Sequence, residues 1–335
     1  VKKLLLSILK FALSLGLGAL LVWLAVRKLT ADDIAEMKAA FERANWFWLF
    51  MGTAIGMLSN FMRAERWNML LRSLGYKAKF GNVAAAVYVM YVGNIAFPRL
   101  GEISRCGIVF KTDGVPIEKS IGTMVLERIV DVVTLLGVGF LLFFVQHDLL
   151  FSVFEKYLIT PLKLKLQSVG DSPLLLQIGV LIFVAAISFL IYKKAAKLPL
   201  VVVFLEKIKG MLIGLTAVRK VENPWLFIFY SVLVWVMYLG MGYCNFLAFA
   251  ETAHLGVGAA MAILFFGTFA FIATQGGVGA YPLITREILL LYGVSANIGY
   301  AWGWIAWTAQ TLMVILAGLI AMAYLAFQKK KTPST

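Results

Sequence analysis

The run VAAAVYVMYVGNIAF at residues 83–97 is apolar, the five residues PRLGE at 98–102 interrupt it, and ISRCGIVF at 103–110 resumes it. Neither arm reaches the roughly 20 residues that a helix needs to cross a bilayer. Backbone that leaves the helix at membrane depth survives only inside protein or beside a water-filled cavity, because lipid offers its N–H and C=O groups no partner. A second stretch repeats the plan. Residues 258–274 are apolar, Gln275-Gly276-Gly277-Val278-Gly279-Ala280-Tyr281-Pro282 breaks them, and 283–291 resumes. Two such breaks point to a ligand path.

The surrounding chain has 335 residues, 61% hydrophobic and 14% charged, with a mean hydropathy of +0.88. Soluble domains average about 45–50% apolar and about 25% charged residues. The composition excludes a cytosolic enzyme, a secreted disulfide scaffold and a free nucleic-acid binder. Unbroken apolar stretches of spanning length lie near 4–26, 46–64, 118–145, 173–192, 224–250 and 295–327. The first is too long for a signal-peptide core and reads as a retained span. The expected fold is an all-α polytopic membrane protein with six spanning helices and two broken segments.

The net charge of +14 is first a topology signal, since Lys and Arg concentrate in cytoplasmic loops. With a cytoplasmic N-terminus and both broken segments returning to their own side, the cytoplasmic face holds Arg63, Arg66, Arg72, Lys77 and Lys79. It also holds Arg99, Arg105, Lys111 and Lys119, the basic run between 193 and 220, and Lys329–Lys331. If both were full crossings, the run between 193 and 220 would face outside. The breaks are therefore expected to be re-entrant hairpins, with both termini cytoplasmic in the cell membrane. Each half then reads span, span, hairpin, span, and three crossings invert the second copy. The expected units are residues 1–145 and 173–328 within one membrane domain of 1–335, with a basic tail at 329–335. Leu100-Gly101 against Val278-Gly279, and Gly114-Val115 against Gly293-Val294, echo one another at offsets of 178 and 179. Inverted halves whose interrupted helices meet near the midplane are a transporter architecture.

Thr30 is expected to cap a surface helix at 31–44 with Ile34, Met37 and Phe41 on one face, and 196–221 reads as a basic amphipathic segment beside anionic headgroups. Cys106, Cys244, His147 and His254 show no metal-ligand spacing, and no phosphate-loop, dinucleotide-binding or nucleophile-elbow motif occurs. No cofactor and no metal is expected.

Charges within spans are costly and usually paired or functional. Glu127 and Asp131 lie four apart and share a helix face, and Arg128 is spaced to pair with Asp131. At the first break stand Asn94, Arg99, Glu102 and Arg105. The spacing allows Arg105 to neutralise Glu102, whereas Arg99 has no local partner. An arginine beside helix-terminal N–H groups suits a phosphate or carboxylate. The second break offers Thr274, Gln275, Gly276, Gly277, Gly279 and Tyr281, followed by Arg286 and Glu287. Its glycines permit a tight turn and close backbone approach. Small residues also serve plain helix contacts in lipid.

The stretch from Asn94 to Arg105, with Leu126-Glu-Arg-Ile-Val-Asp131, and Gly276-Gly-Val-Gly279 with Arg286-Glu287, resemble the signatures of the membrane domain of lysylphosphatidylglycerol synthases, the multiple peptide resistance factors. The resemblance implies lipid flipping between leaflets. By position it carries the family's charged signature onto Arg99, Glu102, Arg105, Glu127, Arg128 and Asp131. Only Lys329–Thr335 follow the last span, so the cytosolic aminoacyl-transferring domain is expected to be absent and the chain to be no enzyme.

The reading is thus a lipid flippase whose partners are membrane lipids with a phosphate-bearing headgroup. These are an anionic or aminoacylated phospholipid, or a polyprenyl phosphate. Nucleic acid is not expected, and a homo-oligomer is compatible. The alternatives are a membrane enzyme acting on lipid-linked phosphate or sugar, and an accessory scaffold of a lipid-modifying complex.

Overall fold

The computed structural model of the chain describes residues 30–96, 100–147 and 221–329, together with isolated positions at 23, 151, 155, 159–161, 164 and 178. The chain forms two compact units, Val1–Leu142 with Val218–Thr335, and Phe143–Ala217. Of the second unit few residues are described, and these are mostly helical. In the first unit the elements run α1 (Ala31–Arg43), α2 (Trp46–Ser73), α3 (Phe80–Ala96), α4 (Leu100–Asp113), α5 (Ile117–Val145), α6 (Pro224–Leu247), α7 (Val257–Ala273), a 3₁₀ turn (Gln275–Gly277), α8 (Ala280–Leu291) and α9 (Ala296–Lys329). All regular structure among the described residues is helical.

Helices α5, α6 and α9 are long and apolar enough to cross a membrane, where the sequence placed three of its spans. Their outward faces are large and apolar: Phe140, Leu316 and Ile320 are 65%, 60% and 69% exposed. Such surfaces suit a lipid solvent. Apart from Trp23, Ile178 and Val221, the expected spans at 4–26 and 173–192 and the basic segment at 196–221 lie outside the described residues. The expected span at 46–64 is the first part of α2, which continues as helix through Arg63, Glu65, Arg66 and Arg72.

The first broken segment folds back on itself. Asp113, closing α4, accepts from Lys79 N at 2.9 Å and from Asn82 Nδ2 at 3.0 Å, beside the start of α3. The entry and exit of the segment therefore stand together, and α3 and α4 pack side by side. At its tip the backbones touch. A Cβ added to Gly93 would lie 2.8 Å from Gly101 Cα, and one added to Gly101 would strike the Met90 carbonyl. At the second break Gly276, Gly277 and Gly279 all have positive φ, of 61, 77 and 71°, a left-handed region that costs any residue with a Cβ.

The two sets of helices correspond closely. Trp46 and Pro224, Phe80 and Val257, and Ile117 and Ala296 open helices at offsets of 178, 177 and 179. Asn45 caps α2 by accepting from Phe47 N, and Asn223 caps α6 by accepting from Leu226 N. Gly114 and Gly293 close α4 and α8 at positive φ, each followed by a buried valine, Val115 and Val294. The glycine Gly318 of α9 meets Tyr88 and Val92 of α3, and Gly139 of α5 meets Phe265 of α7. Helices α2 and α6 run antiparallel. Asn45 N donates to Ala248 O at 2.7 Å, Gly52 packs on Met241 and Asn245, and Arg66 reaches Ser231. Helix α1 docks on the start of α9 through Glu36, which accepts from Ser295 Oγ and Asn297 Nδ2, leaving Ile34 and Phe41 exposed.

Candidate functional site

An α-helix places residues three and four apart on one face; two helices use that spacing and a third adds a single arginine, bringing five charges together. Arg63 and Arg66 project from α2, Glu127 and Asp131 from α5, and Arg105 from α4. Arg63 Nη1 lies 2.8 Å from Asp131 Oδ2, and Arg66 Nη1 lies 2.8 Å from Asp131 Oδ1. Arg66 Nη2 is 3.2 Å from Glu127 Oε1, and Arg105 Nη2 is 2.6 Å from Glu127 Oε2. Arg66 is wholly buried, and Arg105 and Glu127 are each 2% exposed. The Arg105 guanidinium stacks on the Trp67 ring, 4.3 Å from its centroid, and Trp67 Nε1 donates to Thr123 Oγ1 at 2.9 Å. Helix α6 completes the wall: Tyr238 OH accepts from Arg63 at 3.4 Å and stands 3.5 Å from Tyr91 OH.

Charges taken out of water are tolerated only with such pairing. Even so, the Nε–H groups of Arg63, Arg66 and Arg105 are buried with no acceptor among the described residues.

The arrangement corrects the sequence reading in three places. Arg63 and Arg66 are not loop charges of the cytoplasmic face; they are buried in α2, because α5 supplies the carboxylates that make burial tolerable. Arg105 does not neutralise Glu102, and Arg128 does not pair with Asp131. Arg105 pairs with Glu127 instead, while Arg128, half exposed, pairs with Glu102. The reason is direction. Asp131 and Arg105 face inward between helices, whereas Arg128 and Glu102 lie further out, so each charge finds its partner across a helix boundary. The shared face of Glu127 and Asp131 is present as expected.

Asn94 is bound at the tip of the first hairpin. Its Oδ1 accepts from Gly101 N at 3.0 Å, filling one of the N–H groups that a helix start leaves open. Arg99 lies outside the described residues. At the other break Thr274 is buried and returns a hydrogen bond to Ala270 O. Tyr281 packs against Phe271 with ring centroids 5.4 Å apart and the rings tilted by 57°, and Arg286 and Glu287 pair with each other at 3.5 Å. Gln275 joins the two breaks: its Nε2 donates to the backbone carbonyls of Asn94 and Ile95. Those carbonyls lie in the last turn of α3, where a helix leaves its C=O groups open to other donors. Behind the turn, Trp307 Nε1 donates to Gly276 O at 2.7 Å.

Arg63, Arg66, Trp67, Tyr91, Thr123, Ser231 and Tyr238 were not among the candidates. The available signal was the three-residue spacing of Arg63 and Arg66, which puts both on one helix face as the four-residue spacing of Glu127 and Asp131 does on another. Among the described residues no group of three or more His, Cys, Asp or Glu side chains is placed to hold a metal ion.

Glycosyltransferase AglD of Haloferax volcanii is 28% identical to this chain over 124 residues, 36% of the chain and 20% of AglD's own length. The chain thus spans about a fifth of that relative. No solved structure matches. The family described as the lysylphosphatidylglycerol synthase TM region matches residues 7–328, which takes in both helix breaks and every charge of the buried network; over that length the chain belongs to this family.

Proposed function

We propose that the chain is a lipid flippase in which a phosphate-bearing headgroup crosses the membrane between two inverted halves, each of them three spans and a re-entrant hairpin. The contact of Gln275 with the end of α3 carries this reading. It brings two helix breaks together one turn from Arg105 and its buried network. Headgroups are expensive to move through hydrocarbon, so a protein need only supply a polar route and alternate its access. Matched caps, glycine contacts and offsets of 177–179 support the internal repeat, and the antiparallel packing of α2 on α6 fits an inverted relation. Arg105, Glu127, Asp131, Arg128 and Glu102, with the uncharged turn at 274–281, form the wall of the route. Termini on the cytoplasmic side of the cell membrane complete the proposal.

The test is leaflet exchange in liposomes holding the purified protein, read by dithionite bleaching of a fluorescent phospholipid. Exchange faster than in empty liposomes supports the reading; equal rates overturn it. The likeness to a glycosyltransferase favours a second reading, an enzyme acting on lipid-linked phosphate or sugar. Turnover of such a lipid in detergent, where no leaflets exist, would establish it.

A further inference from the structure

The charge balance of the buried network narrows the headgroup class. Among the described residues three guanidinium groups, Arg63, Arg66 and Arg105, face two carboxylates, Glu127 and Asp131, which leaves one positive charge in surplus. Each guanidinium also keeps a buried Nε–H with no acceptor among the described residues, three donors against one acceptor, Asp131 Oδ1, that lacks a hydrogen bond there. An arginine fork presents donors only, and its natural complement is a phosphate or carboxylate oxygen.

The acids elsewhere point the same way. Glu102 is held by Arg128, Glu65 by Arg72 and Glu287 by Arg286, and Asp113 is taken up by Asn82 and the Lys79 amide. Helices α3, α6, α7 and α9 contain no acidic residue. The positions of the second half that correspond to Arg63, Arg66, Arg105, Glu127 and Asp131, at offsets of 178 to 179, are Met241, Cys244, Leu283, Ala306 and Gln310, all uncharged. Along the described helices an ammonium group would meet surplus arginine, and each inward carboxylate already has arginine partners within 3.2 Å. Removing that group from water without a partner is costly, and specificity of this kind comes from the repelled competitor as much as from the ligand held.

We infer that this site takes lipids whose headgroup is a net-negative phosphodiester and discriminates against amine-bearing ones, aminoacylated lipids most strongly. The inference rests on the transport-site reading above and narrows its substrate class. The surplus charge makes the preference; the individual ion pairs make the scaffold that holds it.

The purified full chain is equilibrated in detergent with equal amounts of phosphatidylglycerol, phosphatidylcholine and lysylphosphatidylglycerol, and the retained lipids are read by native mass spectrometry. Phosphatidylglycerol is expected to be retained about tenfold over lysylphosphatidylglycerol, with phosphatidylcholine between them. Equal retention, or the reverse order, overturns the inference. Arg105→Gln brings the network to neutrality and should abolish the preference; the double variant Arg105→Gln with Glu127→Gln restores the surplus and should restore it. A double variant that folds, by size exclusion and thermal melt, yet shows no preference assigns Arg105 a structural role and overturns the charge-balance argument. The wild-type comparison decides the matter if Arg105→Gln does not fold. Displacement of phosphatidylglycerol by equimolar inorganic phosphate would show a soluble-anion site and overturn the lipid assignment. Retained phosphatidylglycerol without leaflet exchange in liposomes would overturn the transport reading alone and leave the selectivity standing.

Discussion

Arg66 of α2 and Glu127 of α5 face each other at 3.2 Å with their side chains 0% and 2% exposed. A pair so placed must be complete. Removing one member leaves the other charged and out of water, at a cost of about 3–5 kcal/mol. Arg66→Met should therefore lower stability by about that amount, read as thermal unfolding in detergent. Arg128→Met removes a pair whose arginine is half exposed and should cost no more than about 1 kcal/mol. Similar losses in the two variants would mean that the network does not tie the helices together.

The hairpin tip makes a second prediction. Gly101→Ala drives a methyl group into the Met90 carbonyl, whereas a Cβ at Gly107 on the same helix meets nothing within 4 Å. Gly101→Ala should destabilise by about 1–3 kcal/mol, because backbone cannot yield as a side chain can. Gly107→Ala should be neutral or stabilise by up to about 1 kcal/mol, since alanine is the better helix former. Paired unfolding curves check both signs.

Gln275 and Ile95 meet where the two breaks touch. Cysteines at these positions, in a background with the buried thiols Cys106 and Cys244 replaced by alanine, should be bridged by a short bis-methanethiosulfonate reagent, which spans the reach of the glutamine side chain. On the transport reading, that cross-link should stop lipid exchange in liposomes and its reduction should restore it. Full exchange in the cross-linked protein would show that the tips need not part.

The fold-back of 83–110 is open to labelling. Lys79 and Lys111 flank a hairpin whose ends are joined through Asp113. Single cysteines at the two positions should react with a membrane-impermeant maleimide from the same side of sealed vesicles. Reaction from opposite sides would restore a single interrupted crossing.

Much of the frame was legible along the chain, because it depends on properties of contiguous residues. Long apolar runs at 118–145, 224–250 and 295–327 became α5, α6 and α9, since any helix in lipid must satisfy its backbone within itself. Pro98 and the glycines at 276–279 marked the breaks because their backbone preferences are local. The Gly114-Val115 and Gly293-Val294 echo is the trace of two helix stops with the same left-handed turn.

The pairing of charges was not legible in the same way. Helical spacing states which residues share a face, as it did for Glu127 and Asp131, and leaves open what that face meets. Arg63 and Arg66 read as loop charges because nothing within α2 neutralises them; their partners lie 61 or more residues away, on α5. Arg105 and Arg128 each stand three residues from an acid on their own helix and pair instead with one on another. Local sequence settles where helices form, since hydrogen bonding and hydrophobicity act between near neighbours. Which charges are buried, and whether they balance, was settled by packing, since burial is a property of the surroundings that several distant segments create together.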